Sequence, residues 1–152
     1  MNDPVPVEHP RRRWMAVLAR APAERLEALL EEAGGRPSYT VLRGPEGGLV
    51  MVRGRAGGGG APFNLGEMTV TRCTVRIESG LIGHAYIAGR EPGEAELAAL
   101  VDALMQDPAR ADTIEARIIL PLEASQTARR AERAGKAAAT QVQFFAMQTM
   151  RS

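Results

Sequence analysis

The chain has 152 residues and is 45% hydrophobic but only 4% aromatic, the profile of one compact domain with a modest core built from Leu, Val, Ile, Met and Ala. Its 19 basic and 18 acidic side chains leave a net charge of +1, which argues against a general affinity for nucleic acid or anionic membranes. One cysteine, Cys73, excludes an internal disulfide and a multi-cysteine metal site and fits a reducing compartment.

Residues 1–10, with Pro4, Pro6 and Pro10, read as a disordered lead. Glu8, His9 and the triplet Arg11, Arg12, Arg13 precede any apolar stretch, so the opening does not read as a secretory signal. No run approaches the roughly 20 apolar residues of a membrane span, and a cytoplasmic location is expected. Trp14, Val17 and Leu18 fall at helical spacing, as do Leu26, Leu29 and Leu30 after Pro22. Two short amphipathic helices are predicted, the second stopped by Gly34-Gly35 and Pro37. From Ser38 the period changes, and residues 39–43, 48–55, 68–78 and 81–88 read as strands. Gly44-Pro45-Glu46-Gly47 predicts a hairpin loop and Ser79-Gly80 a two-residue hairpin, giving an antiparallel meander. In the third run the apolar parity switches from Met68 and Val70 to Cys73, Val75 and Ile77, which predicts a bulge or change of buried face near Thr71-Arg72. Leu97, Leu100, Val101, Leu104 and Met105 mark a third, amphipathic helix opened by Pro92 and ended by Asp107-Pro108. After Pro121, residues 122–141 read as a long Ala- and Arg-rich helix whose small-residue stripe gains stability from contact with something else. The run Val142-Gln143-Phe144-Phe145-Ala146-Met147 is expected as a terminal strand or docking peptide.

The positive charge is nearly all arginine, with Lys136 the single lysine. Guanidinium forks suit phosphate or carboxylate oxygens, although the same bias follows genomic GC content. Gly57-Gly58-Gly59-Gly60 is conspicuous, but it leads to a strand without the helix and lysine of a phosphate loop, and a hairpin loop is the favoured reading. Arg53, Arg55, Arg72, Arg76 and Arg90 are candidates to converge on the sheet. Arg72 and Arg76 share strand parity, with Cα atoms about 13 Å apart, and are the phosphate-binding candidates; ion pairs with Glu67 and Glu78 or a solvated face are the alternative. His9 and His84 lack neighbouring ligands for a metal, and His84 reads as a structural or surface residue. Cys73, inside an apolar strand, reads as a buried inert thiol. No nucleophile–base order, paired-carboxylate motif or nucleotide fingerprint marks a catalytic site.

Several stretches resemble the PhnG family of the phosphonate carbon–phosphorus lyase system. They include Arg11-x-x-Trp14-Met15-x-Val17-Leu18-Ala19, Gly48-Leu49-Val50, and the central Arg55-x-Gly57-Gly58-x-Gly60-x-x-Phe63-x-x-Gly66-Glu67-x-Thr69-Val70-Thr71-Arg72-x-x-Val75-Arg76. Gly83, Gly89-Arg90, the helix from Ala95 to Gln106, Pro121-Leu122 and Val142-x-Phe144-Phe145-x-Met147 complete a shared order over residues 11–147.

The resemblance implies a subunit that assembles with PhnH, PhnI and PhnJ. It implies a share in the synthase that displaces adenine from ATP with an alkylphosphonate, giving a ribose 1-alkylphosphonate 5-triphosphate. ATP would be a substrate of the complex, no cofactor is expected in this subunit, and the iron–sulfur cluster belongs to PhnJ. No catalytic residue is carried over, and the isolated chain is expected to be inactive. The alternative is a purely architectural subunit without substrate contact. The expected fold is α+β: an antiparallel sheet with N-terminal helices, one central amphipathic helix and a C-terminal helical extension. Residues 11–120 form the domain and 121–152 an assembly arm, with Phe144, Phe145 and Met147 as partner-binding candidates.

Overall fold

The computed structural model describes residues 9–55 and 60–149, the side chains of residue 64 and of 142–149 apart. Helix α1 (Pro10–Leu18) starts at His9, whose Nδ1 accepts the Arg11 amide at 3.3 Å, and it buries Val17 and Leu18. Helix α2 (Ala23–Glu32) buries Leu26, Leu29 and Leu30. It closes where the Gly35 amide donates to the Leu30 carbonyl at 2.9 Å, a turn that requires left-handed backbone, supplied by Gly34 at φ +114 and Gly35 at φ +80.

Three strands follow, β1 (Tyr39–Arg55), β2 (Pro62–Ile77) and β3 (Ile82–Ala88), antiparallel and in sheet order β1-β2-β3. The hairpin expected at Gly44-Pro45-Glu46-Gly47 does not form; residues 39–43 and 48–55 belong to one strand. Strand β2 is long enough to pair with both halves, so the turn residues are absorbed as irregularities. The register runs Val41↔Val75, Arg43↔Thr74, Glu46↔Arg72, with one extra residue of β1 at each step. Gly44 supplies the φ of +74 that this path needs. The irregularity expected at Thr71-Arg72 therefore lies opposite, in β1, while β2 and β3 pair evenly from Val70↔Ala88 to Arg76↔Ile82. The β2–β3 hairpin forms where expected but with one residue more. Its loop is Glu78-Ser79-Gly80, closed by the Ile77 amide on the Leu81 carbonyl at 3.0 Å, with Gly80 at φ +92.

One face of β2 and β3 presents Cys73, Val75, Ile77, Ala85 and Ile87 to the core, where helix α3 (Pro92–Met105) lies across them. Gly83 permits this approach, because a Cβ there would sit 2.6 Å from the Ala103 nitrogen. Helices α1 and α2 also pack against α3, so the helix expected to be amphipathic is buried from Leu97 to Met105 without interruption. This α+β architecture of layered helices on one sheet face agrees with the class expected from the sequence.

Helix α4 (Ala111–Ile114), a π turn (Glu115–Ile119) and helix α5 (Leu120–Thr149) form one continuous helical path. Pro121 would break an α-helix by removing a donor and crowding the preceding turn; the wider turn before it accommodates the ring. Ile114, Ile118, Ile119 and Leu122 anchor this path in the core, and residues 127–141 are exposed. The terminal strand expected at Val142 to Met147 is helical instead, since a short apolar run that would be marginal alone adds to a helix already nucleated upstream.

Candidate functional site

Among the described residues the most heavily bonded side-chain group is the carboxylate of Asp102 on α3, wholly removed from water. Arg11 grips it with two bonds, Nε to Oδ1 at 3.2 Å and Nη2 to Oδ2 at 2.8 Å. Trp14 Nε1 donates to Oδ1 and the His84 amide to Oδ2, each at 2.8 Å. These four bonds join α1, α3 and β3 and leave the carboxylate no free lone pair for a ligand, so Asp102 is a structural pin. Arg13 makes a second tie, donating to Glu115 at 2.7 Å and Glu123 at 2.9 Å; these bonds, Glu123 first, raise the guanidinium pKa further.

The sheet face opposite the core carries the even-numbered residues of β2 and β3. Thr74 and His84 are cross-strand neighbours, with Oγ1 and Nδ1 3.1 Å apart, and Arg72 stands opposite Tyr86. The first turn of α1 borders this face. His9, Arg11, Arg12, Met15, His84 and Tyr86 line one concavity of about 540 Å³. Two histidines 75 positions apart thus meet at one surface, a proximity that no sequence spacing announces. Among the described residues, no three His, Cys, Asp or Glu side chains gather as a metal site. The concavity offers an exposed phenol, imidazoles and guanidinium groups, which can stack on a base or hold an anion but provide no nucleophile with an activating base.

Arg72 and Arg76 share the outer face, as their parity requires. Arg72 lies against Gly48, 3.6 Å from where a Cβ would stand, and reaches Glu46 at 3.4 Å, while its buried Nε has no partner. Arg76 lies exposed beside Ser38, Tyr39, Thr40 and Glu78. The wider convergence does not form. Arg53 and Arg55 pair near the far end of β2, opposite Asn64 and Pro62, whereas Arg76 pairs with Thr40. Thirteen residues of strand, on the order of 40 Å, separate Thr40 from Arg53. Arg90 lines a different hollow with Gly47, Gly48 and Thr69. Cys73 is buried, and its thiol pKa is pushed up by burial first and by Glu96 second. Residues 57–59 of the glycine run lie outside the described residues, as do the side chains of Phe144, Phe145 and Met147.

Beyond Gly48↔Val70 the sheet narrows to β1 and β2 alone, because β3 ends opposite Val70. This ribbon exposes Leu49 at 68%, Leu65 at 62%, Met51 at 50% and Phe63 at 45%, with Val50, Val52 and Met68 also open. Consecutive residues 49–52 point alternately to opposite faces, so both faces are apolar. Sequence parity alone missed this, since a strand apolar on both faces reads like a buried one.

A one-sided sheet pinned to layered helices, with an apolar ribbon and a long helix projecting from it, defines a protein built to be completed by other surfaces. The comparisons agree with that class. The profile of the family described as phosphonate metabolism protein PhnG matches residues 9–151, and the chain belongs to this family. It is similar to the alpha-D-ribose 1-methylphosphonate 5-triphosphate synthase subunit PhnG of Rhizobium meliloti (strain 1021), with 45% identity over 140 residues covering 90% of this chain and 87% of that protein.

Proposed function

We propose that the chain is a subunit of the synthase that replaces the adenine of ATP with an alkylphosphonate to give ribose 1-alkylphosphonate 5-triphosphate, assembling with PhnH, PhnI and PhnJ. The name of the Rhizobium relative supports the activity. The observation that carries the subunit role is the β1–β2 ribbon. A two-stranded ribbon is marginal in water, and this one keeps large apolar side chains exposed on both faces. Burying the open part of each against a partner contributes about 1–2 kcal/mol per side chain, enough to make the ribbon an assembly element. Arg72 and Arg76, on the polar outer face, are the residues through which the subunit touches phosphate in this reading.

Co-expression with PhnH, PhnI and PhnJ tests the proposal. Leu49→Thr with Leu65→Thr should leave the chain folded and abolish co-purification; full retention of the complex by this variant sinks the ribbon's role. Arg72→Gln with Arg76→Gln keeps the stems and removes both forks. Normal assembly with synthase activity reduced about tenfold or more supports contact with substrate. Normal assembly with unchanged activity leaves the subunit architectural.

A further inference from the structure

Arg20, Gln126, Arg129, Arg130 and Arg133 line a concavity of about 420 Å³ between the turn after α1 and the exposed face of α5. Positions 126, 129, 130 and 133 fall within one side of an α-helix, since residues three and four apart are neighbours there. Gln126 fixes the spacing of the two walls by donating from Nε2 to the Val17 carbonyl at 2.9 Å. None of the four guanidinium groups has a carboxylate within ion-pairing distance among the described residues. The acids of α5 are engaged elsewhere, Glu123 with Arg13 at 2.9 Å and Glu132 with Lys136 at 3.3 Å. Four like charges gathered around a hollow, with nearby carboxylates committed to other partners, repel one another unless an anion joins them.

We propose that this cluster is a binding site for a linear polyphosphate, the triphosphate arm of a nucleotide or of a ribose 5-triphosphate. Guanidinium forks bind phosphate oxygens in bidentate fashion, and four of them match a triphosphate's charge better than a single phosphate's. The site lies apart from Arg72 and Arg76. The inference deepens the synthase reading and rests on it for the source of the triphosphate.

The test uses the full-length chain with sodium tripolyphosphate, ATP and inorganic phosphate as probes, in calorimetry at fixed ionic strength. Wild type is expected to bind tripolyphosphate and ATP one to one with similar affinity, inorganic phosphate much more weakly, and all of them less tightly as salt rises. Similar affinity for the first two assigns binding to the phosphate chain; preference for ATP by more than about tenfold would assign it to the base and overturn the proposal. Arg129→Gln with Arg133→Gln should weaken tripolyphosphate binding about tenfold or more, whereas Arg25→Gln, an exposed arginine on α2 outside the cluster, should not. Because these side chains are exposed, circular dichroism should confirm an unchanged fold. Equal binding by the double variant, or no binding by wild type, overturns the site. If wild type fails to bind and the double variant also loses the core subunits, the cluster is a docking patch for an acidic partner segment. The synthase reading fails by a different result, the inability of wild type to join those subunits.

Discussion

An ionised carboxylate without water contact is tolerable only when its lone pairs are filled, and Asp102 meets that condition through Arg11, Trp14 and the His84 amide. Asp102→Ala strands those donors and is expected to cost about 3–5 kcal/mol in urea unfolding, with Asp102→Asn intermediate; a loss under 1 kcal/mol for the alanine variant would show the pin to be dispensable. Gly83→Ala should destabilise by about 1–3 kcal/mol or prevent folding, since its methyl would collide with α3. Tyr39 donates to Glu96 at 2.6 Å, and burial first, then this bond, raises its pKa. The folded state therefore holds the phenolic proton more tightly than the unfolded chain. Its stabilising contribution is complete below pH of about 10 and is lost as pH rises through the folded-state value. Tyr39→Phe should flatten the alkaline fall in thermal midpoint. The raised Cys73 pKa has the same sign, and its thiol should react with a disulfide reagent only after unfolding.

At the scale of elements, α5 divides into a seated root and a projecting shaft. Leu122 is buried, Glu123 pairs with Arg13, and Gln126 holds Val17, whereas 127–141 are exposed. Ending the chain after Thr127 should leave a cooperative thermal transition within about 1 kcal/mol of the full chain. Ending it after Leu120 removes Leu122 and both ties, and the midpoint should fall by several degrees or the protein become insoluble. Equal behaviour of the two truncations would show that the root contributes nothing. The ribbon follows the same division, since β3 supports it only as far as Val70. Leu49→Thr and Leu65→Thr, at exposed positions, should change stability by no more than about 0.5 kcal/mol while improving solubility.

For the molecule as a whole, the proposal places chemistry in the assembly rather than in the chain. Rigorously purified protein should release no adenine from ATP, with or without methylphosphonate; turnover by the chain alone would overturn the accessory role. The α+β class, α1, α2, α3 and the β2–β3 hairpin were legible because each rests on local signals: apolar period, glycine stops and a turn. The continuous β1 was not, because the pairing partner that outweighs Gly44-Pro45 lies some 30 residues onward. The helix beyond Pro121 was misread at both ends for a related reason, as packing of Ile118, Ile119 and Leu122 upstream decides what Pro121 and the Val142 run become. The parity of Arg72 and Arg76 was legible, since a strand fixes it. The meeting of His9 with His84, the Asp102 pin and the arginines of α5 with Arg20 depend on tertiary placement and leave no trace in spacing.

The π turn at Glu115–Ile119 gives the protein a built-in phase setting. Such a turn closes its bonds over one residue more than an α turn, so removing one residue there can restore α geometry without breaking the helix. Four residues of α turn advance the helix by about 400° and about 6 Å, nearly what the five residues of the wider turn advance it, so everything downstream would keep its phase. Gln126 would stay against Val17, Glu123 against Arg13, and the arginine face of α5 beside Arg20. A single-residue deletion at Ala116 is thus absorbed where it falls, whereas the same deletion at Ser125, in regular α-helix, would turn the shaft by about 100° and carry its arginine face away from Arg20.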